Sequence, residues 1–182
     1  MKEEIARWQT VASEYICKNP YMRLRVDNRF APGFGNHDFY ILEFPDWVNV
    51  VAVTEDDQAV LVRQYRHGIS AVSLEIPGGV VDPGEEPLTA AARELAEETG
   101  YLPKRMELLT AVRVNPAIQS NYCHLFLATG CRLLQEQALD GTEAIAVELA
   151  PLSALSGLME TGEINHSLNC LALTLALKKL SA

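Results

Sequence analysis

Three acidic residues in one stretch of the chain have the types and spacing of a divalent-metal site. Glu94, Glu97 and Glu98 recur at positions i, i+3 and i+4, so in a helix their carboxylates would share one face and repel one another. Glu85, a short distance upstream, adds a fourth carboxylate. Hard oxygen ligands clustered in this way suit Mg²⁺ or Mn²⁺. The pattern therefore predicts a site for a divalent cation.

A second interpretation of these residues is a solvated, charged face on a surface helix, which is the usual meaning of a glutamate-rich helix. Arg93 lies four residues before Glu97 and is expected to pair with it. One arginine does not neutralise so many glutamates, however. The complete spacing of residues 79–101 favours the metal site.

Local signals place these residues on a helix that follows a loop. Asp82-Pro83-Gly84 is typical of a turn, and Pro87 suits a first helical turn, where its missing N–H costs nothing. Gly100, just past the last periodic residue, is typical of a helix C-terminus. An apolar stripe at helical spacing should face the core and consists of Leu88, Ala91, Ala92 and Leu95.

The stretch from Gly79 to Tyr101 resembles the signature of the Nudix hydrolase family. That signature reads Gly-x5-Glu-x7-Arg-Glu-apolar-x-Glu-Glu-x-Gly-apolar, and every fixed position is met. Tyr101 fills the last slot, where a smaller aliphatic residue is more usual. In a chain of average composition, the chance of such a match is about 10⁻⁹ at any one site. The resemblance extends from Trp8 to Leu175 and is strongest from Trp47 to Ala128.

The resemblance implies both a fold and a reaction. The fold is of the α/β class in the α+β sense, a sandwich of helices around a mixed β-sheet, which agrees with the order of strands and helices along the chain. The reaction is hydrolysis of a diphosphate joined to a further group, assisted by Mg²⁺, with Mn²⁺ as an alternative. Such metals neutralise phosphate oxygens and orient water for in-line attack.

Four positions match the metal ligands of that family. Glu94 and Glu98 match the main ligands. Glu97 matches a third carboxylate, which ligates the metal or orients water, and it is also expected to be catalytic. Gly78, just before the signature glycine, would offer its carbonyl oxygen to the metal.

The other signature positions are expected to support that cluster. Glu85 and Arg93 match positions that brace the glutamates, and Arg93 is also expected to serve catalysis. Gly79 and Gly100 complete the signature as structural positions.

The flanking sequence resembles the ADP-ribose and nucleoside-diphosphate-sugar branch of the family. Residues 61–68 read LVRQYRHG, residues 73–79 read SLEIPGG, and Pro116 lies some fifteen residues past the signature, before HLFLA at residues 124–128. The branch implies a nucleotide-sugar substrate such as ADP-ribose or GDP-mannose. The products would be a nucleoside monophosphate and a sugar phosphate.

The same flanks supply the expected substrate contacts, which also include Pro116. Arg63 or Arg66 could clamp a phosphate through a charge-assisted hydrogen bond. Either arginine could instead lie in water at a strand edge. Trp47 could stack on a base, although an aromatic residue at a strand start can equally serve packing.

The general base is expected outside the loop at residues 115–121. Many relatives carry an acidic residue there, and this loop has none. In several relatives of the ADP-ribose type the base comes from a later flexible loop, and residues 140–143 occupy that place here. We therefore predict Glu143 as the base, with a solvated turn residue as the alternative.

Two other functions fit parts of the sequence. One is a house-cleaning hydrolase of nucleoside triphosphates or dinucleoside polyphosphates, which a substrate panel would separate. The other is a non-catalytic, nucleotide-sensing module of the same fold. The intact Glu94, Glu97 and Glu98 argue against a module without turnover.

Composition excludes several classes of partner. The 182 residues carry a net charge of −9, so nonspecific binding to nucleic acid or to a membrane surface is not expected. The four cysteines lack Cys-x-x-Cys spacing and are interpreted as small buried hydrophobic residues. The chain shows no signal peptide and no membrane span, and we expect a cytoplasmic protein.

The chain is expected to divide near residue 45. Residues 1–45 predict a small antiparallel sheet, which is marginal alone and must pack on its own core or on a partner. Residues 46–182 would form the catalytic domain. The resemblance implies a homodimer in which the N-terminal strands cross to the other subunit.

The alternation of apolar and polar residues, together with continuous apolar runs, predicts the remaining strands and helices. Strands are predicted at residues 8–16, 21–27, 39–44, 48–53, 59–66, 73–77, 106–114, 124–128 and 143–149. Two helices close the chain, at residues 152–160 and 167–180. Ser167 is the expected N-cap of the last helix, and Lys178 and Lys179 suit its C-terminal end.

Overall fold

The computed structural model describes residues 5–181. It forms two compact units. The first contains the residues up to Pro45 together with Arg113–Asn121, and the second contains Asp46–Val112 and the residues from Tyr122 onward. The segment Arg113–Asn121, interpreted from sequence mainly as a loop after a strand, therefore belongs with the first unit.

The first unit is built on a three-stranded antiparallel sheet in the order β1-β2-β3. Its strands are β1 (Gln9–Lys18), β2 (Arg23–Ala31) and β3 (Gly35–Glu43). The predicted small N-terminal sheet is confirmed, but β3 starts four residues earlier than residue 39. The reversal before it needs left-handed backbone at Gly33 (φ 83°) and Gly35 (φ 80°), which glycine adopts without strain.

Asp27 is the buried polar centre of this sheet. Its side chain is only 1% exposed. It accepts hydrogen bonds from Arg25 Nε (2.9 Å), from Arg29 Nη2 (2.7 Å) and from the Ser13 hydroxyl. Burial opposes ionisation, but the bonds from Ser13 and the two arginines outweigh it and lower the pKa of Asp27 to about 2.

The second unit contains a mixed eight-stranded sheet. Its central path is β11-β5-β4-β10-β8, with β6 on β5, β7 on β4 and β9 on β10. The pair β4 and β10 is parallel, whereas β5 pairs antiparallel with both β4 and β11. The strands are β4 (Trp47–Thr54), β5 (Gln58–Arg66), β6 (Ala71–Glu75), β7 (Gly78–Val80), β8 (Tyr101–Leu102), β9 (Arg105–Arg113), β10 (Tyr122–Leu133) and β11 (Ile145–Pro151).

Helices cover this sheet. They are α1 (Pro87–Thr99), α2 (Leu155–Glu160), which follows a 3₁₀ turn, and α3 (Ser167–Leu180). The β4 side chains Val48, Val50 and Ala52 pack with Ala91 and Leu95 of α1 in one buried cluster. Helix α3 also contacts β4 and β10, but none of its side chains belongs to that cluster, which places it on the other face. The predicted α+β architecture is confirmed.

Several local predictions need correction. The N-cap of α3 is His166, and Ser167 is its first helical residue. The last strand begins at Ile145, so Glu143 stays in the preceding turn. The short strands β7 and β8 were not predicted, because two or three residues carry no periodic signal. Within residues 5–181, no helix is long and apolar enough to cross a membrane.

Candidate active site

Helix α1 carries the signature glutamates and has the predicted ends. Pro87 lies in the first turn. Gly100 closes the helix in the left-handed conformation (φ 74°), and its N–H donates to Ala96 O at 2.8 Å. The buried face differs in part from the predicted stripe, because Ala90 is buried and Leu88 is half exposed. That face packs α1 on the sheet. The side of α1 that carries Glu94 and Glu98 therefore faces β7.

Arg93 joins the signature loop to the helix. It donates two hydrogen bonds to Glu85, at 3.0 and 2.9 Å, and one each to Glu94 (2.9 Å) and Glu97 (3.0 Å). Its Nη2 also donates to Val80 O at 3.0 Å. The bonds with Glu85, aided by the other glutamates, raise the pKa of Arg93 above its ordinary value. The expected pairing with Glu97 is present, and the guanidinium serves as a brace.

Glu98 is a buried carboxylate, and Glu94 beside it is partly buried, with 15% of its side chain exposed. Glu98 is 4% exposed and accepts the Gly78 N–H at 2.9 Å. Burial, with help from Glu94, raises the pKa of Glu98 to about 8 despite that bond. Burial also raises the pKa of Glu94, although Arg93 opposes this effect. A cation at this place would offset the cost of burying both charges.

Close approach explains the two glycines of the signature loop. A Cβ atom at Gly79 would overlap the carboxylate of Glu94, and a Cβ at Gly78 would overlap Val48 O. Only glycine lets the loop backbone lie directly against these groups. The carboxylate of Glu94 therefore lies directly against the backbone of Gly79.

These residues fit a divalent metal by their donor chemistry. Glu94, Glu98 and the Gly78 carbonyl offer hard oxygen atoms at one end of α1 and β7. Glu97, by contrast, is bonded to Arg93 and is 42% exposed. In the part of the chain that the structure describes, no group of three or more His, Cys, Asp or Glu side chains is arranged to hold a metal. The candidate donors are thus the buried Glu98, the partly buried Glu94 and the backbone at the start of β7.

A cavity of about 650 Å³ opens beside the signature loop, a volume suited to a small-molecule ligand. Its walls come from the start of β4, the end of β5 with the connection to β6, β7, and the residues just before and at the start of α3. Four predicted site residues meet there, namely Trp47, Arg66, Gly78 and the signature glycine Gly79. All of its walls lie within the second unit.

Arg66 lines the cavity and forms an ion pair with the buried Glu75. Its Nε and Nη2 donate to the two carboxylate oxygens of Glu75 at 2.9 and 2.8 Å. The Glu75 side chain is 5% exposed, whereas that of Arg66 is 44% exposed. Burial raises the pKa of Glu75, but Arg66 outweighs it and the net shift is downward. The pair holds the Nε and Nη2 edge of the guanidinium in place, and the side chain stays 44% exposed.

Arg63 and Pro116 lie elsewhere. Arg63 donates to Glu148 (2.6 Å) and Glu163 (2.9 Å) and does not line the cavity. Pro116 is exposed in the segment that belongs to the first unit.

Glu143 lies in a turn closed on Asp140. Its backbone N–H donates to Asp140 O at 2.9 Å, and its carboxylate accepts the Asp140 N–H at 3.2 Å. It does not line the cavity. The charge of Glu143 is nevertheless close enough to Glu94 and Glu98 to contribute to their raised pKa values. Its role as base stays a prediction.

Sequence reasoning missed three polar residues of this region. Glu75, His166 and Asn169 are brought together by β6 and α3, which are far apart in the chain. The available signal is the polar run at residues 165–167 before an apolar helix, of which only Ser167 is assigned a role from sequence, as an N-cap. Nothing local indicated that its side chains would face a cavity.

Comparison with known proteins decides the family. The NUDIX domain model matches residues 44–168. The chain belongs to the Nudix family. It is 33% identical to an ADP-ribose pyrophosphatase of Bacillus subtilis (strain 168), over 86% of this chain and 85% of that protein. It is also 33% identical to a methanol dehydrogenase activator of Bacillus methanolicus, over 84% and 83%.

The Nudix fold is supported independently by a solved structure. The crystal structure of an ADP compounds hydrolase superposes with a TM-score of 0.85 at 22% identity, covering 98% of this chain and 97% of that one. The predicted family, its ADP-ribose branch and the enzyme class, a Nudix hydrolase, are confirmed. Nudix hydrolases generally need a divalent metal.

Proposed function

We propose that this Nudix hydrolase cleaves the diphosphate bond of nucleoside diphosphate sugars with Mg²⁺, giving a nucleoside monophosphate and a sugar phosphate. The observation that carries the proposal is that the buried Glu98 and the partly buried Glu94 lie against Gly78 and Gly79, which line a cavity of about 650 Å³. Supporting relatives include ADP-ribose pyrophosphatases of Bacillus subtilis and Mycobacterium tuberculosis and an ADP-sugar pyrophosphatase of Mus musculus.

Glu94, Glu98 and the Gly78 carbonyl would hold the metal, with Glu97 as a further ligand directly or through water. When bound, the metal neutralises phosphate oxygens and makes the phosphorus more electrophilic. Arg93 keeps Glu85, Glu94 and Glu97 in position through four hydrogen bonds to their carboxylates. The two glycines let the backbone lie against the acidic cluster.

Glu143 is the proposed general base. It would take a proton from the water that attacks phosphorus, the new P–O bond would form from that water, and the bridging P–O bond would break. The leaving phosphate carries away the bonding electron pair, and Glu143 later returns its proton to solvent. The support is that the charge of Glu143 contributes to the raised pKa values of Glu94 and Glu98.

Trp47 and Arg66 are the proposed substrate contacts. Both line the cavity. An aromatic face suits a nucleobase, and a guanidinium suits a phosphate. Arg63 and Pro116 are weaker candidates, since neither lines the cavity.

We also propose a cytoplasmic homodimer built through the first unit. All ten residues of β1 are exposed, and large apolar side chains such as Val11 and Ile16 are among them. Exposed apolar surface of this kind marks interaction sites. Light scattering at assay concentration measures the oligomeric state, and a monomer would contradict the proposal.

A substrate panel tests the function. Phosphate release is measured after adding phosphatase, with Mg²⁺ and with ADP-ribose, GDP-mannose, UDP-glucose, nucleoside triphosphates or dinucleoside polyphosphates. Turnover of the diphosphate sugars supports the proposal. Turnover only of triphosphates or polyphosphates contradicts the substrate class, and no turnover at all points to a sensing module.

A further inference from the structure

We propose that His166 contacts the substrate through its Nε2–H and that Asn169 is the positioning residue that makes this possible. The inference rests on the proposed function, because it assigns a role within the cavity beside the signature loop. His166 lines that cavity together with Gly78 and Gly79.

The orientation of the Asn169 amide is assigned from its hydrogen bonds. Asn169 is fully buried. The backbone N–H of Ile76 donates to its Oδ1 at 3.0 Å, which requires the oxygen on that side. Its Nδ2 then faces Nδ1 of His166, also at 3.0 Å. An exchanged amide would leave two donors facing each other at Ile76, which burial makes costly.

This network decides the tautomer of the neutral His166 ring. Because Nδ2 of Asn169 can only donate, Nδ1 of His166 must accept, and the ring proton lies on Nε2. Among residues 5–181, no hydrogen-bond partner of Nε2 is found. The cavity therefore contains a donor whose ring is held in one orientation. The phosphate and sugar oxygens of a nucleotide sugar are its natural acceptors.

Asn169 also supports the signature loop. Ile76 lies two residues before Gly78, whose N–H donates to Glu98. One buried amide thus holds the substrate-facing histidine and the backbone that leads to the acidic cluster. Because Asn169 bonds to both the His166 ring and the Ile76 backbone, a shift of one of these groups should displace the other.

Three substitutions of His166 distinguish the contribution of its Nε2–H donor to substrate binding from that of the ring's shape. His166→Gln places an amide donor near the position of Nε2, His166→Asn reaches only the position of Nδ1, and His166→Phe keeps the ring without nitrogen. With ADP-ribose and Mg²⁺, we expect KM to rise about tenfold in the Phe and Asn variants, with kcat within about twofold of wild type. The Gln variant should recover most of the loss. An unchanged KM in His166→Phe would overturn the proposal.

Asn169→Asp tests the positioning role. The carboxylate still accepts the Ile76 N–H but can only accept from His166, so at about pH 9 the neutral ring should carry its proton on Nδ1. Nε2 would then present a lone pair to an anionic substrate. We expect a rise in KM similar to that of His166→Phe, measured well below the melting temperature, which the buried carboxylate should lower. An unchanged KM would contradict the positioning role.

Nitrogen-15 NMR of the wild-type ring reads the tautomer directly and needs no variant to fold. A proton on Nε2 supports the network, and a proton on Nδ1 overturns it. If wild-type protein hydrolyses no nucleotide sugar, the proposed function fails, and the NMR result still decides the tautomer. If it hydrolyses ADP-ribose and His166→Phe is indistinguishable from wild type, only this inference fails.

Discussion

The carboxylate of Glu98 accepts the backbone N–H of Gly78 at 2.9 Å. This bond joins the last turn of α1 to the start of β7, and it satisfies one oxygen of a carboxylate whose residue is only 4% exposed. The bond holds the Glu98 side chain against the backbone at Gly78. The signature glutamates are thus positioned by the backbone before the signature loop as well as by helix α1.

Replacing Glu98 with glutamine should remove activity without unfolding the protein. The amide oxygen still accepts the Gly78 N–H, but a neutral side chain is a poor metal ligand. We expect kcat/KM to fall by about a hundredfold or more. Mg²⁺ should raise the melting temperature of wild type and not of Glu98→Gln. Equal Mg²⁺ stabilisation of both proteins would contradict the assignment of Glu98 as a ligand.

Gly79→Ala tests the close approach of the loop to Glu94. The added methyl group would overlap that carboxylate, so either the loop or the acid must move. Displacements of about 1 Å at an active site can cost a hundredfold in rate, and we expect a loss of that order in kcat/KM. Gly157→Ala is the matched control, because a Cβ there meets nothing within 4 Å. Similar activity of both variants would show that the contact is unimportant.

Substitution of Glu143 should act on turnover rather than on binding. If Glu143 is the base, Glu143→Gln lowers kcat by about a hundredfold or more and leaves KM nearly unchanged. Asp140→Asn is the control, since it alters the same turn and leaves the proposed base in place. Steady-state kinetics with ADP-ribose measures both. A kcat near that of wild type in Glu143→Gln would remove this residue from the mechanism.

Lysine substitutions should distinguish the two arginines of β5. Arg66→Lys keeps a charge opposite Glu75 but loses the two-pronged geometry that suits carboxylate and phosphate. We expect KM for ADP-ribose to rise by about threefold to tenfold. Arg63→Lys lies outside the cavity and should leave KM unchanged. The reverse order of effects would show that Arg63 is the phosphate ligand.

Asp27 should make the first unit sensitive to acid. Its pKa is lowered from 3.8 to about 2, so the folded state binds a proton less readily than the unfolded state. The resulting stabilisation, about 2 kcal/mol, is present above pH 4 and is lost as the pH falls through about 2. Urea unfolding should show Asp27→Asn less stable than wild type at pH 7. A difference that persists undiminished at pH 2 would contradict this linkage.

Much of the acidic cluster could be predicted because its information is local. The spacing of Glu94, Glu97 and Glu98 places them on one helical face, and Pro87 and Gly100 mark the ends of that helix through backbone preferences. The strands β4 and β5 were likewise predicted from β-branched runs. The prediction that Leu88 faces the core was wrong. Periodicity shows which side of a helix is apolar, but it does not show how much of that side the sheet covers.

The sequence by itself determined the family, the reaction class and the acidic helix, since these depend on neighbours along the chain. Only the tertiary structure decided that Arg66 pairs with Glu75, that Arg63 turns away to Glu148, and that Asn169 lies between Ile76 and His166. Ile76 and Asn169 are 93 positions apart, and no local preference encodes such a contact. It arises when β6 and α3 are packed in the same unit, where a buried N–H must find an acceptor.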